Sequence, residues 1–242
     1  KVFNLQIYKV LPQNLMYSNF DSVKIKRNNL TYIINRSDFT QWQIYANFPE
    51  LHYEAFCKTS KKGNIIDIGS NVGSFSMVTA NYLASEKSKF KVYSFEPYGE
   101  IFNKLLKNIE LNPQIKNNII LEKTALSNEK NQKLFFEIIP NNLGANYLKN
   151  EKNEKNEKKL SDFVLSDTLD IYCQKQNLKK IFFIKIDVEG MEIEILDGAK
   201  ETIKSNNPNL FIEINESKYL KKGLSIEPYL LKFKKMNKLF YI

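Results

Sequence analysis

The sequence predicts an α/β domain in which a mostly parallel central sheet carries helices on both faces, preceded by a short N-terminal extension. Two stretches and the pattern between them predict it. In Gly63-Asn-Ile-Ile-Asp-Ile-Gly-Ser-Asn-Val-Gly-Ser-Phe-Ser76, Ile65, Ile66 and Ile68 form the short β-branched run of a strand covered on both faces. Gly69 and Gly73 mark a tight turn, and Phe75, Val78, Thr79 and Tyr82 then recur at helical spacing. The second stretch repeats this plan: the apolar run from Ile181 gives out through Lys185, Asp187 and Glu189, and Gly190 turns the chain into a helix over Met191 to Ser205. Strands and helices alternate in between, as parallel sheets require.

In chain order, residues 1–55 read as a lead-in and 56–242 as the main domain. Val2 to Val10 and Leu30 to Ile34 are apolar and β-rich. Trp42, Phe48, His52, Tyr53 and Glu54 follow, on a helix expected to pack near the glycine turn. Lys91 to Glu96 is the next strand; Pro97 stops it and a helix spans about Glu100 to Leu111. Ile119 to Leu126 supplies a third strand, Lys133 to Ile139 an added one, and Asp162 to Leu165 is expected to pair with the latter. Residues 141–159 are charged and of low complexity, which predicts a mobile loop, with a lid over the substrate as its functional reading and Gly144 and Asn146 as its contacts. Ser166-Asp-Thr-Leu-Asp170 opens another helix with a capping residue. After a strand at Asn209 to Asn215, a helix near Ile226 to Lys235 leads to a sixth strand at Lys238 to Ile242, with no residues left for a seventh.

A strand, a glycine turn and a helix N-terminus together suggest a nucleotide site, because free backbone N–H groups there bind the ligand. A dinucleotide fingerprint needs a second glycine where this chain has Asn71, and Asp67 at the strand end would repel a pyrophosphate. The same carboxylate suits S-adenosylmethionine, which carries an ammonium, a sulfonium and no phosphate. Glu96, about 25 residues past the turn, stands where nucleotide-binding α/β folds hold the ribose hydroxyls. Thr124 and Ala125 leave the third strand where the adenine should lie, with no acid at that exit. Asp187 and Glu189 are aimed at the same crevice as Asp67 and Glu96, outside the carboxyl ends of the strands. His52, the single histidine, sits beside aromatics, the usual setting of a packing residue.

Composition bounds the remainder. A hydrophobic content of 43% supports a full core, and no apolar stretch is long enough to span a bilayer. Cys57 and Cys173 lack metal spacing and fit a reducing, cytoplasmic compartment. The chain starts at Lys1 without a methionine, as expected of a piece of a longer protein. The formal charge of +9 admits an anionic partner such as a nucleotide-sugar, but lysine is frequent on plainly solvated faces as well.

Ile184-Lys-Ile-Asp-Val-Glu-Gly-Met-Glu192, preceded by Thr168-Leu-Asp170 and followed by Leu196, Gly198 and Ala199, resembles the signature of FkbM-type methyltransferases. Asp67-Ile-Gly-Ser-Asn-Val-Gly73, Phe95-Glu-Pro97, Ala125-Leu-Ser127 and Phe211-Ile-Glu213 match that family's other motifs in order, and Tyr53-Glu54 resembles its lead-in. The resemblance implies a class I Rossmann-like fold that uses S-adenosylmethionine to methylate a hydroxyl of a sugar, glycan or related secondary metabolite. Carried onto this chain, it implies Glu54, Asp67, Gly69, Ser70, Asn71, Gly73, Glu96, Pro97, Thr124, Ala125 and Asp187 at the cofactor. Asp187 is the first candidate for the base, then Glu189, with Lys185 beside them. Mg²⁺ held by Asp187 and Glu213 is the alternative way to acidify the hydroxyl. A nucleic-acid substrate is disfavoured, since adenine amino-group methylation uses a polar-Pro-Pro-aromatic run where this chain has Asp-Val-Glu-Gly. A non-catalytic binding or scaffold role is the other competing reading.

Overall fold

The computed structural model describes residues 11–18, 22–46, 62–139, 142–149 and 163–221, together with positions 223, 225, 227, 228, 231 and 239–241. The expected strand at Val2 to Val10, the residues Phe48, His52, Tyr53, Glu54 and Cys57, most of the charged run and most of the helix after Ile226 lie outside the described residues.

The chain enters through a hairpin that the sequence reading recovers only by half. Strand β1 (Ser22–Arg27) pairs antiparallel with β2 (Leu30–Asn35). Asn28 and Asn29 both have positive φ, the geometry of a two-residue turn whose twist matches its strands. The inward residues of β2, Leu30, Tyr32 and Ile34, are buried against the main domain. Helix α1 (Phe39–Tyr45) follows, its first turn capped by the carboxylate of Asp38, which accepts from the Gln41 amide at 3.0 Å.

The main sheet has six parallel strands: β3 (Asn64–Ile68), β4 (Val92–Phe95), β5 (Ile119–Glu122), β10 (Ile181–Ile186), β11 (Asn209–Ile212) and β12 (Leu239–Tyr241). Their spatial order is β12-β11-β10-β3-β4-β5. Strand order therefore reverses between β3 and β10, and a crevice opens at their carboxyl ends. Side chains alternate across the sheet. Ile66, Ile68, Ile184 and Ile186 pack toward α4 (Leu169–Lys175), α5 (Glu192–Asp197) and α6 (Lys200–Asn206). Ile65, Val92 and Phe183 pack toward α2 (Ser74–Ser85), α3 (Gly99–Glu110) and the hairpin.

Several elements depart from expectation. The third strand breaks after Glu122: Ala125–Leu126 forms β6, which pairs with β9 (Phe163–Asp167) in a second sheet ordered β6-β9-β7-β8. There β7 (Lys133–Glu137) pairs antiparallel with β9, as expected, and also with β8 (Tyr147–Lys149). The first part of the expected loop is thus a short 3-10 turn (Leu143–Ala145) followed by a strand. The helix expected over 191–205 divides at Gly198, whose carbonyl accepts from the Asp170 amide. The Asp170 carboxylate then caps α6 through the Glu201 and Thr202 amides. On α2 the buried stripe is Phe75, Thr79, Ala80 and Leu83, with Val78 and Tyr82 on its flank. A further α-helix, α7 (Glu216–Lys221), precedes the path to β12, which pairs parallel with β11.

Candidate active site

Register places the site's charges. Lys185 on β10 stands opposite Asp67 on β3, which stands opposite Ser94 on β4, so three neighbouring strands contribute one polar row to the α2 side of the sheet. Asp67 is completely buried; its Oδ2 accepts from Ser76 Oγ of α2 at 2.5 Å, and Ser76 Oγ lies 2.6 Å from Ser94 Oγ. Asp67 Oδ1 has no hydrogen-bond partner and faces Lys185 Nζ at 3.5 Å. Burial raises the Asp67 carboxyl above the usual range, while Lys185 and then Ser76 oppose that rise. Lys185 Nζ also donates to Asp187 Oδ2 at 2.9 Å. The buried ammonium bridges a carboxylate within the sheet and one at its mouth.

At the mouth the two motif strands touch. The Asp187 amide donates to the Ile68 carbonyl at 3.0 Å, and Gly69, at φ +83°, passes so close that a β-carbon there would lie 1.8 Å from the Asp187 carbonyl oxygen. The turn over Gly69–Gly73 is tied to the next strand by Glu96. Its Oε2 accepts from the Asn71 amide at 3.0 Å and its Oε1 from the Tyr98 amide at 2.9 Å. Desolvation pushes the Glu96 carboxyl up to about 7, with those two amides opposing.

After Asp187 the backbone strains: Glu189 has φ 60°, a conformation rarely adopted by a glutamate. Lys218 of α7 holds it, donating to the Glu189 carbonyl and to its Oε2, both at 2.9 Å. The same ammonium lies 4.2 Å from the centre of the Tyr147 ring on β8. Glu192 is fully buried, accepts from the Gly190 amide and is hydrogen-bonded to the buried Tyr219 hydroxyl; burial raises the pKa of both groups, the Tyr219 hydroxyl opposing that rise at Glu192 and the Glu192 charge adding to it at Tyr219.

A cavity of about 450 Å³ lies above the β3/β10 switch point. One side is built from Gly69, Ser70, Asn71, Ser74, Glu96, Pro97 and Tyr98; the other from Phe39, Thr40 and Gln43 of α1 and residues 142–148. Lys185, Asp187, Val188, Glu189 and Glu213 lie between. The Leu143 amide donates to Asp38 Oδ2 at 2.7 Å, so the carboxylate that caps α1 also anchors the 142–149 segment. Gly144 is wedged in that junction, where a β-carbon would fall 2.1 Å from Thr40 Oγ1 and 2.8 Å from Asn71 Nδ2.

The sequence matches the Methyltransferase FkbM domain over residues 67–240. The chain belongs to the FkbM methyltransferase domain family. Methyltransferase sdnD of Sordaria araneosa is 28% identical over 162 residues, 57% of this chain and 60% of the relative. The chain thus spans about three fifths of the length of the curated relative it matches. Among solved structures, methyltransferase FkbM from Methylobacillus flagellatus KT aligns at 19% identity with a TM-score of 0.43, over 71% of this chain and 37% of that one. P. horikoshii TYW2 in complex with MeSAdo aligns at 18% identity and a TM-score of 0.35, over 47% and 41% of the two chains. The FkbM domain described here is built on a parallel central sheet with helices on both faces.

Within the FkbM domain, the expected residues Gly69, Ser70, Asn71, Glu96, Pro97, Lys185, Asp187 and Glu189 line one cavity. Asp67 and Gly73 do not line it: Asp67 lies beneath, and Gly73 packs against Leu105 and Met77 at the start of α2. Thr124 and Ala125 do not line it either, because the strand they were expected to end has already broken and Ala125 is buried in β6. Glu54 lies outside the described residues. For Mg²⁺, Asp187 already accepts from Lys185, and no group of three or more His, Cys, Asp or Glu suited to a metal ion occurs among the described residues. The sequence reading missed Phe39, Tyr98, Phe136 and Tyr147 on the cavity walls and Lys218 behind them.

Proposed function

We propose that the domain transfers a methyl group from S-adenosylmethionine to a hydroxyl of a sugar, glycan or related secondary metabolite, with Asp187 as general base. One observation carries the reading: Asp187 stands at the switch point, held by Lys185, on the border between a glycine-turn half of the cavity and a half built by α1 and residues 142–148.

The residues present fit the cofactor. A cavity of about 450 Å³ is of the size that small-molecule sites have. Its acid-rich lining suits a ligand bearing an ammonium and a sulfonium, and no side chain at Gly69 blocks approach to the turn. Glu96 would hold the ribose hydroxyls, with Ser70, Asn71 and Pro97 around them, and the β3 turn would take the methionine portion. When bound, the cofactor supplies a methyl group made electrophilic by the positive sulfur.

The chain's own part is placement and one proton. Lys185 fixes the Asp187 carboxylate from behind, and Asp187 accepts the proton that the acceptor hydroxyl loses as its oxygen attacks. Glu189, held in the same way by Lys218, is the second candidate for that role. Calorimetry tests the reading. S-Adenosylmethionine should bind, and Glu96→Ala should weaken it by roughly ten- to hundredfold, the worth of charge-assisted hydrogen bonds. Equal affinity in the variant and the parent would remove the assignment.

A further inference from the structure

The chain carries a formal charge of +9, yet its cavity has the opposite sign. Among the described lining residues, Glu96, Asp187, Glu189 and Glu213 are carboxylates and Lys185 is the one basic side chain. Lys185 is 4% exposed and points its ammonium at Asp67 and Asp187. The next nearest cation, Lys218, is taken up by Glu189 and the Tyr147 ring. With Asp67 and Lys218 counted in, carboxylates still outnumber ammoniums. A separate recess of about 210 Å³ shares Asp187, Glu189 and Glu213 with the cavity and adds Glu192, Asn215 and Glu216.

The rest of that wall is neutral and of a particular kind. Thr40, Gln43, Asn142 and Asn146 offer hydroxyl and amide groups, and Phe39, Phe136 and Tyr147 offer ring faces. Asn146 Oδ1 accepts from the Ile139 amide, whereas its buried Nδ2 has no partner among the described residues. Amides and rings with no available cation among the described residues suit a polyhydroxylated group and offer nothing to a phosphate.

We infer that the acceptor presents its hydroxyl from a neutral or positively charged group, and that phosphorylated and nucleotide-linked sugars are rejected by the cavity. The inference rests on reading this cavity as the methyl-transfer site, and it narrows the acceptor to one charge class.

The test measures the sign of the field without knowing the acceptor. In a background with Cys57→Ser and Cys173→Ala, Gln43→Cys places a thiol on the α1 wall. Its reaction rates with a trimethylammonium-bearing and a sulfonate-bearing methanethiosulfonate are compared, each normalised to free cysteine. The cationic reagent should be favoured at least about tenfold, the factor equivalent to 1.4 kcal/mol, and Glu189→Gln with Glu213→Gln should reduce that preference. Tyr147→Cys, in the segment that shares that side of the cavity, provides the same readout if Gln43→Cys fails to fold. A normalised ratio at or below unity at either thiol would overturn the inference, as would binding of UDP-glucose at millimolar concentration to protein saturated with S-adenosylhomocysteine. Cofactor calorimetry reports separately on the methyltransferase reading. A cofactor-binding protein with an inverted ratio would lose only the charge class, and an acid-selective cavity that ignores the cofactor would lose the function.

Discussion

Gly69 and Asp187 meet so closely at the carboxyl ends of β3 and β10 that a single β-carbon on the glycine would overlap the aspartate carbonyl at 1.8 Å. The two motifs, 118 residues apart, are therefore one packed joint, since 187 − 69 = 118. Gly69→Ala combines that overlap with a left-handed φ of +83°. It should cost about 3 kcal/mol or more in denaturant unfolding and weaken S-adenosylmethionine binding in the fraction that folds.

Lys185→Met leaves two carboxylates without their shared ammonium, one of them fully buried. Stability should fall by roughly 3–5 kcal/mol at neutral pH. The sign with pH follows from Asp67, whose raised pKa climbs further once its cation is gone. The folded variant then holds a proton that the unfolded chain releases, so its deficit should grow as pH rises and shrink in acid. Thermal melts of both proteins between acid and mildly alkaline pH measure this.

Asp187→Asn keeps the size of the side chain and its place at the mouth but removes the proton acceptor. Turnover should drop by roughly 10²–10⁴-fold with cofactor affinity held within a few-fold. A variant that keeps its rate would move the base role elsewhere.

Glu213 is raised to about 7, first by the charge of Asp187 and then by burial. Its ionised form is therefore destabilising, and stability lost to it accumulates as pH rises from the unfolded value of 4.5 through 7. Glu213→Gln should match the parent near pH 4.5 and exceed it above pH 7. Because Glu213 is exposed to solvent, the gain should be only about 1 kcal/mol, or roughly 2–4 °C in Tm. Asp187→Asn in the same protein should abolish most of that difference.

Lys218→Met releases both Glu189 and the Tyr147 ring. Hydrogen exchange should quicken at residues 147–149 and 188–190 while residues 64–68 stay protected. Lys218→Arg should restore much of the protection, because a guanidinium both hydrogen-bonds a carboxylate and stacks on a ring.

The main sheet was legible because β-branched runs and glycine turns report burial and chain reversal directly. Strand β1 was missed although Val23 and Ile25 alternate with Lys24 and Lys26, a period-two pattern that its lysines disguise. Asp67 and Lys185 were both visible as charged residues in apolar runs, but their pairing depends on register, which a linear reading does not contain. Residues 142–149 read as loop because short polar segments gain their structure from a neighbour, here Asp38 and β7. Lys218 carries no local sign of its role, since its partners Glu189 and Tyr147 come from other elements.

The hairpin is fastened by side chains of α3 and of the turn just past it. Asn112 Oδ1 accepts from the Thr31 amide and its Nδ2 donates to the Thr31 carbonyl, while Asn108 Oδ1 accepts from the Ile33 amide. Two side-chain amides thus imitate a neighbouring strand and quench the exposed edge of β2. Because β2 also buries Leu30, Tyr32 and Ile34 against Ile65, Val92 and Phe183, a transplanted hairpin would have to bring both its amide partners and its apolar face with it.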